Sequence, residues 1–305
     1  MLVFYSINEI PEIENSVITI GNFDGLHYAH QKIIKDTVNR AKQILAKSVV
    51  ITFEPHPLKF FKKTDIKLIQ TLSQKLECIS LLGVNLILVL KFDKELSEMS
   101  AVDFVDKVLI KRLGMKELYI GYNFQFGKAK EGDINMMIKF SNMFNFKVYV
   151  QEPIMVDGII CNSTTIRNFI ERGDIEVANK LLDRFYSISG VVIKGESIGR
   201  VIGYPTINIQ TENELLPLEG VYLTYVIYDN KSYPSVTNIG YRPTFKGKNK
   251  SIESYIIDFN KELYGEKVQL LFLKRLRDEK KFDSTKELIE QIIKDVKYAR
   301  HYFNI

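Results

Sequence analysis

The sequence predicts an α/β domain built on a doubly wound parallel sheet, followed by a small antiparallel β-barrel that ends in a helix. Three observations carry that expectation. From Ser16 to about Gln151, short β-branched runs alternate with segments whose apolar residues recur at helical spacing. Beyond Asp183 the period falls to two, with turn signals between the runs. Only one long helical pattern, Ser284–Tyr302, belongs to this second half. At 305 residues the chain has room for two such cores, which we place at 1–184 and 185–305.

In the first half the expected strands are Ser16–Ile20, Ser48–Phe53, Asn85–Leu90, Glu117–Ile120 and Lys147–Gln151. Between them Gln31–Lys47, Ser73–Leu82, Ala101–Leu113 and Asp133–Phe144 read as helices, the third capped by Ser100 with Asp103. Two further short helices, Thr164–Arg172 and Asp174–Leu182, are expected to close this domain. The barrel strands are expected around Tyr186–Ile188, Val191–Ile193, Gly220–Tyr228, Ser232–Ile239, Ser251–Ile257 and Lys267–Leu273. A capping box of Ser284 and Glu287 starts the terminal helix, and the polar run Lys246–Lys250 reads as a solvated loop.

Composition excludes several classes of function. A net charge of +5 suits anionic small molecules and is weak for a dedicated nucleic-acid binder, and no basic stripe is interleaved with aromatics. Two cysteines, Cys78 and Cys161, lie far apart without metal-ligand spacing, which points to a reducing cytoplasm. The most apolar run, Ile79–Leu90, is too short to span a bilayer, and the first ten residues lack the pattern of a signal peptide. A soluble cytoplasmic protein without a membrane partner is therefore expected; monomer and weak oligomer both stay open.

The most informative segment is Gly21-Asn22-Phe23-Asp24-Gly25-Leu26-His27-Tyr28-Ala29-His30, placed where the first of these strands turns into a helix. Helix N-termini present N–H groups without intrahelical partners and a positive dipole end, which together favour phosphate. His27 and His30 hold two of the chain's four histidines at a spacing that can put both rings on one face. A metal pair is the rival use of these histidines, but no third ligand is spaced nearby. Three more segments follow strands of the same half: Thr52–Pro57 with His56, Gly121–Gly127 with Asn123, Phe124 and Phe126, and Asn162–Arg167 with Ser163 and Thr164. All fall where ligands of a doubly wound sheet bind. The second half has a glycine-dense stretch, Gly190–Gly203, then Tyr204-Pro205-Thr206-Ile207-Asn208, with Glu253 inside a later strand and Arg277 near the end.

The histidine segment resembles the His-x-Gly-His signature of nucleotidyltransferases, and the longer string resembles the bacterial bifunctional riboflavin kinase/FAD synthetases. With the second-half motifs, the resemblance covers nearly the whole chain. It implies a Rossmann-like nucleotidyltransferase domain and a riboflavin kinase barrel, making FMN and then FAD from riboflavin and ATP. It further implies that His27, His30 and Arg167 stabilise the reacting phosphates, with Gly21, Phe23, Asp24, Gly25, Ser163 and Thr164 binding ATP. His56, Asn123, Phe124 and Phe126 would line the flavin in the first domain. In the barrel, Glu253 would be the general base, and Thr206 and Asn208 would hold Mg²⁺ through oxygen. Gly190, Gly195, Gly199, Arg200, Gly203, Tyr204 and Arg277 would contact ATP or flavin. The chain departs from the family with Ala29 in place of the signature glycine, Asn162 in place of a serine and Ile207 in place of an alanine. The alternatives are a riboflavin kinase whose adenylyl half is impaired by Ala29, and an inactive flavin- or nucleic-acid-binding regulator.

Overall fold

The computed structural model describes residues 1–61, 65–195, 199, 203–244 and 247–305, with backbone alone for 241–244 and 247–249. It divides into two compact units, Met1–Lys67 with Thr71–Asn162, and Leu68–Gln70 with Ser163–Ile305.

The first unit holds strands β1 (Leu2–Phe4), β2 (Ser16–Ile20), β3 (Lys47–Glu54), β4 (Leu86–Lys91), β5 (Met115–Gly121) and β6 (Lys147–Gln151). Their order is β1-β4-β3-β2-β5-β6, and every pairing is parallel. Helices α1 (Tyr28–Gln43), α2 (Pro57–Phe60), α3 (Leu72–Ser80), α4 (Lys94–Glu98), α5 (Ala101–Asp103, continuing in wider π-helical turns over Phe104–Arg112) and α6 (Ile134–Phe144) alternate with them. A two-stranded hairpin, β7 (Met155–Val156) with β8 (Ile159–Ile160), ends the unit. All five residues of β2 are buried, because a parallel sheet is covered on both faces. One face packs Ile18, Val49, Ile51 and Leu118 against Val105, Leu109 and Met137. The other packs Val50, Ile87 and Val89 against Ile33, Ile34, Val38 and Ile79 of α1 and α3. Each such side chain contributes about 1.5–3 kcal/mol on burial.

The expected strands and helices of this unit are present, with ends shifted by a few residues. β1 escaped notice because three residues carry no readable period. The alternation of β2 and β5 about the sheet's centre matters most. Chain order reverses there, so the carboxyl ends of these neighbouring strands open a crevice, the preferred ligand position of such sheets.

The second unit begins with helices α7 (Ser163–Arg172) and α8 (Ile175–Leu182). Strands β9 (Tyr186–Ile193), β10 (Thr206–Thr211), β11 (Gly220–Tyr228), β12 (Lys231–Thr244), β13 (Gly247–Ile256) and β14 (Lys267–Arg277) form a closed barrel in the order β10-β13-β12-β11-β14-β9. Helix α9 (Thr285–Phe303) follows, capped by Ser284, whose hydroxyl accepts from Glu287 N–H.

Two expectations differ from the structure. Helices α7 and α8 pack with the barrel instead of closing the sheet domain, so the packing boundary falls at 162/163 and the expected one at 184/185. The reason is specific: Asn179 of α8 donates to Phe272 O (2.8 Å) on β14 and accepts from Tyr186 N–H (2.6 Å) on β9. Ala178, Leu181 and Leu182 supply the buried face of α8. The run read as a lysine loop is, from Gly247 to Lys250, the start of β13, paired residue for residue with Tyr241–Thr244. Lys250 there is ion-paired with Glu219 (2.8 Å) and donates to Pro217 O (3.0 Å), while Lys246 lies outside the described residues.

One barrel face is lined by hydroxyls. Thr224 Oγ1 lies 2.7 Å from Ser235 Oγ and 2.6 Å from Thr237 Oγ1, which in turn donates to Ser254 Oγ (2.9 Å). All four residues are fully buried, and each hydroxyl finds a partner, as burial requires. On the opposite face Leu223, Tyr225, Val236, Tyr255, Leu271 and Leu273 pack against Ala299 and Phe303 of α9. Arg277 adds a charged clamp to this packing, donating from Nε and Nη2 to Asp295 Oδ2 (3.0 and 2.8 Å). Their side chains are 18 % and 9 % exposed, so the pair is largely removed from solvent. Arg277→Ala is expected to destabilise the protein by about 3 kcal/mol or more, because it leaves Asp295 buried without its partner. The double change Arg277→Met, Asp295→Leu should recover most of that loss in denaturant unfolding.

Candidate active sites

The first constellation is built by the turn from β2 into α1. Its backbone leaves ordinary space twice at non-glycine residues, Phe23 (φ 49°) and Leu26 (φ 33°), with Gly25 (φ 78°) between them. The side chains of Phe23 and Leu26 are each 2 % exposed, so core packing holds the strained turn in place. A Cβ on Gly21 would press on the Phe23 ring at 3.0 Å, which leaves that position to glycine. Phe23 therefore shapes the turn; its ring meets His30 edge to face, at 5.1 Å between centroids.

His27 is the N-cap of α1, its Nδ1 accepting from His30 N–H (3.4 Å). A neutral ring that accepts at Nδ1 carries its proton on Nε2, which can then donate to a phosphate oxygen. The rings of His27 and His30 stack at 3.5 Å and 21°. His27 Nδ1 also lies 3.5 Å from Cys161 Sγ. Burial pushes the Cys161 thiol up, opposed by the N–H groups of Ala29 and Tyr28, so the sulfur sits against the first turn of α1. Ala29 is 7 % exposed, and its carbonyl accepts from Gln151 Nε2 (3.0 Å). Its methyl is thus covered by protein. Cys161 and Gln151 were missed as neighbours of this site; nothing in their spacing places them against α1.

The other candidates of the first unit follow β3 and β5. His56, 6 % exposed, follows β3 and caps α2, its Nδ1 accepting from Leu58 N–H (3.2 Å). After β5, Asn123 is exposed and Phe124 half-buried, while Phe126 belongs to the core. Phe126 stacks under Phe124 at 5.4 Å and lies so close to Gly132 that any Cβ there would meet its ring. Phe126 supports the loop, and Phe124 presents the ring. Ser163, Thr164 and Arg167 occupy the first half of α7, at the start of the second unit.

The barrel assembles the second constellation across three strands. Asn208 of β10 lies opposite Glu253 of β13, and Glu253 lies opposite Asn238 of β12. Alternation puts these three on the face of Tyr255 and Val236, away from the buried hydroxyls of Ser254 and Thr237. Thr206, two residues before Asn208, shares that face. Two glycines crowd against these strands: a Cβ on Gly195 would collide with the Asn208 carboxamide, and one on Gly199 with Tyr204 O. Tyr204 N–H donates back to Gly199 O (2.8 Å), and Gly203 turns the chain at φ 83°. Arg200 lies outside the described residues.

Two sequence candidates have other work. Gly190 stands where β9 approaches β10 so closely that a Cβ would strike Gln210 O, so its glycine serves barrel closure. Arg277 is committed to Asp295 and to the carbonyl of Asp278 (2.9 Å). Asn238, aligned with Glu253, is not singled out by the sequence; strand register, invisible there, gives it its place.

The donor set suits a hard cation: Thr206 and Asn208 offer oxygen from alternate residues, with the Glu253 carboxylate beside them. Two oxygens do not complete a coordination shell, and among the described residues no group of three His, Cys, Asp or Glu side chains is placed to hold a metal. Such a cation would need substrate phosphates and water as further ligands. Also among the described residues, no helix is long and apolar enough to cross a membrane.

A doubly wound sheet whose β2–α1 turn is capped by a histidine, joined to a barrel in which Glu253 lies beside glycine-contacted Asn208, fits a two-domain enzyme of phosphate chemistry. The family model for FAD synthetase matches residues 9–165, and that for riboflavin kinase matches 182–303. The chain is 38 % identical to the bifunctional riboflavin kinase/FMN adenylyltransferase of Buchnera aphidicola from Acyrthosiphon pisum, covering 100 % of this chain and 99 % of that protein. It is 32 % identical to the Escherichia coli K12 protein of that name, covering 99 % and 96 %. A crystal structure described as a macrolide-efflux protein from Streptococcus pneumoniae superposes with a TM-score of 0.90 at 29 % identity, over 98 % of both chains. The chain belongs to the bifunctional riboflavin kinase/FMN adenylyltransferase family.

Gly195→Ala tests the second constellation directly. It is expected to lower FMN formation roughly 100-fold by displacing Asn208, while FAD synthesis from supplied FMN stays unchanged in the same preparation.

Proposed function

We propose that the chain phosphorylates riboflavin to FMN in its barrel half, 185–305, and adenylylates FMN to FAD in its first half, 1–184. One ATP is consumed at each site. The observation that carries this reading is the pairing of family and geometry: each half matches its own enzyme family and carries its own phosphate-directed constellation.

In the barrel, the ribityl hydroxyl attacks the γ-phosphorus of ATP as Glu253 accepts its proton, and the bond to the β-phosphate oxygen breaks to release ADP. Asn208 and Asn238 flank the carboxylate and orient it. Gly195 and Gly199, which leave no room for a Cβ beside Asn208 and Tyr204, leave backbone open to the triphosphate. Thr206 and Asn208 would hold Mg²⁺, which, when bound, offsets charge on the β- and γ-phosphates.

At the sheet, an oxygen of the FMN phosphate attacks the α-phosphorus of a second ATP, and pyrophosphate leaves. Nucleophile and leaving group are both anions, so the protein's task is positioning and neutralisation. His27 donates from Nε2, His30 stacks beside it, and the Gly21–Gly25 turn offers N–H groups to the phosphates. Phe124, Asn123 and His56 serve the flavin. Both reactions draw on the cytoplasmic ATP pool, a compartment that suits Cys78 and Cys161, which form no disulfide.

Separate knock-outs test the assignment. Glu253→Gln should lower FMN formation by roughly 100-fold or more and leave FAD synthesis from FMN intact, as followed by flavin chromatography. The double change His27→Ala, His30→Ala should do the reverse, with a loss of roughly 100-fold or more in adenylylation. Loss of both activities in either variant would contradict two independent sites.

A further inference from the structure

Lys75 is the only buried lysine among the described residues, 4 % exposed on α3, and neither reaction above uses it. Burying an ammonium is unfavourable unless carboxylates and hydrogen bonds compensate. Burial pushes Lys75 below the ordinary lysine range, and the charges of Asp24 and Glu54 oppose that shift. Lys75 Nζ donates to Thr52 Oγ1 (3.4 Å), and Thr52 Oγ1 donates to Asn22 O (3.2 Å). A continuous polar path thus runs from α3, through the carboxyl end of β3, to the backbone of the turn between β2 and α1. Thr52 is fully buried and Asp24 3 % exposed, so the path is shielded from water up to its end at Asn22, an exposed residue.

That turn is the one whose backbone is strained at Phe23 and Leu26. It also contains an acid where a triphosphate is to bind, which would repel the nucleotide if its charge faced the crevice. We propose that Lys75 is a positioning residue for FMN adenylylation: its ammonium engages Thr52 and the Asp24 carboxylate beneath the Gly21–Gly25 turn, and so keeps the turn's N–H groups aimed at the ATP phosphates. Thr52 relays the contact to Asn22, and α3 is itself anchored by the reciprocal capping box of Thr71 and Gln74. The inference rests on the adenylyl site assigned above and adds to it a residue that touches no substrate.

The two activities of the chain supply an internal control. In Lys75→Met, the KM for ATP in FAD synthesis should rise by about tenfold or more, with the kinetics of riboflavin phosphorylation unchanged. Thr52→Val breaks the relay without removing the charge and should raise the same KM, whereas Thr52→Ser keeps the hydroxyl and should stay near the parent value. If Lys75→Met loses FMN formation as well, through misfolding, the Thr52 pair decides alone. An unchanged ATP KM in Lys75→Met that still makes FMN, or in Thr52→Val, would overturn the inference. A parent protein that makes no FAD would instead overturn the adenylyl site itself.

Discussion

The turn from β2 into α1 depends on backbone that the chain would not hold in isolation. Phe23 and Leu26 sit at positive φ, each at a conformational cost of order 1–3 kcal/mol. Their side chains are locked into the core with Ile33, Ile34 and Val38, so folding of the unit offsets the strain. Once fixed, the turn starts α1 at a histidine whose own nitrogen caps it. The same residues thus complete the core, set the helix start and aim the donors.

The barrel solves a related problem by different means. The role proposed for Glu253 sets a carboxylate beside a triphosphate, a repulsive arrangement unless N–H dipoles and a cation intervene. Strand register supplies the order: Asn208, Glu253 and Asn238 side by side on three strands. Glycines supply the room, since only residues without a Cβ fit over Asn208 and beside Tyr204. Behind this face, the four linked hydroxyls of Thr224, Ser235, Thr237 and Ser254 keep the interior polar yet fully satisfied.

Much of this was legible in the sequence because it is local. Period-two and helical patterns carried the order of elements, and the motif with His27 and His30 marked the turn from β2 into α1. What escaped is set by contacts between distant segments. Asn179 carries α7 and α8 to the barrel through bonds to Phe272 and Tyr186, which no local pattern announces. Register alone converts Gly247–Lys250 from an apparent loop into strand and aligns Asn238 with Glu253. Glycine density marked Gly190 and Gly195 alike, yet one closes a barrel and the other clears space for a carboxamide. Arg277 looked available as a lone cation, and Asp295, 18 residues on, claims it.

The central claim is that two different phosphorus atoms of ATP are attacked at two places on one chain. Double labelling reads this directly: purified protein is given riboflavin and ATP carrying one isotope at the α-phosphorus and another at the γ-phosphorus. FMN must bear only the γ label and FAD both, with the α label of the first ATP staying in ADP and the γ label of the second leaving in pyrophosphate. FAD without the γ label, or FMN that carries the α label, would contradict it.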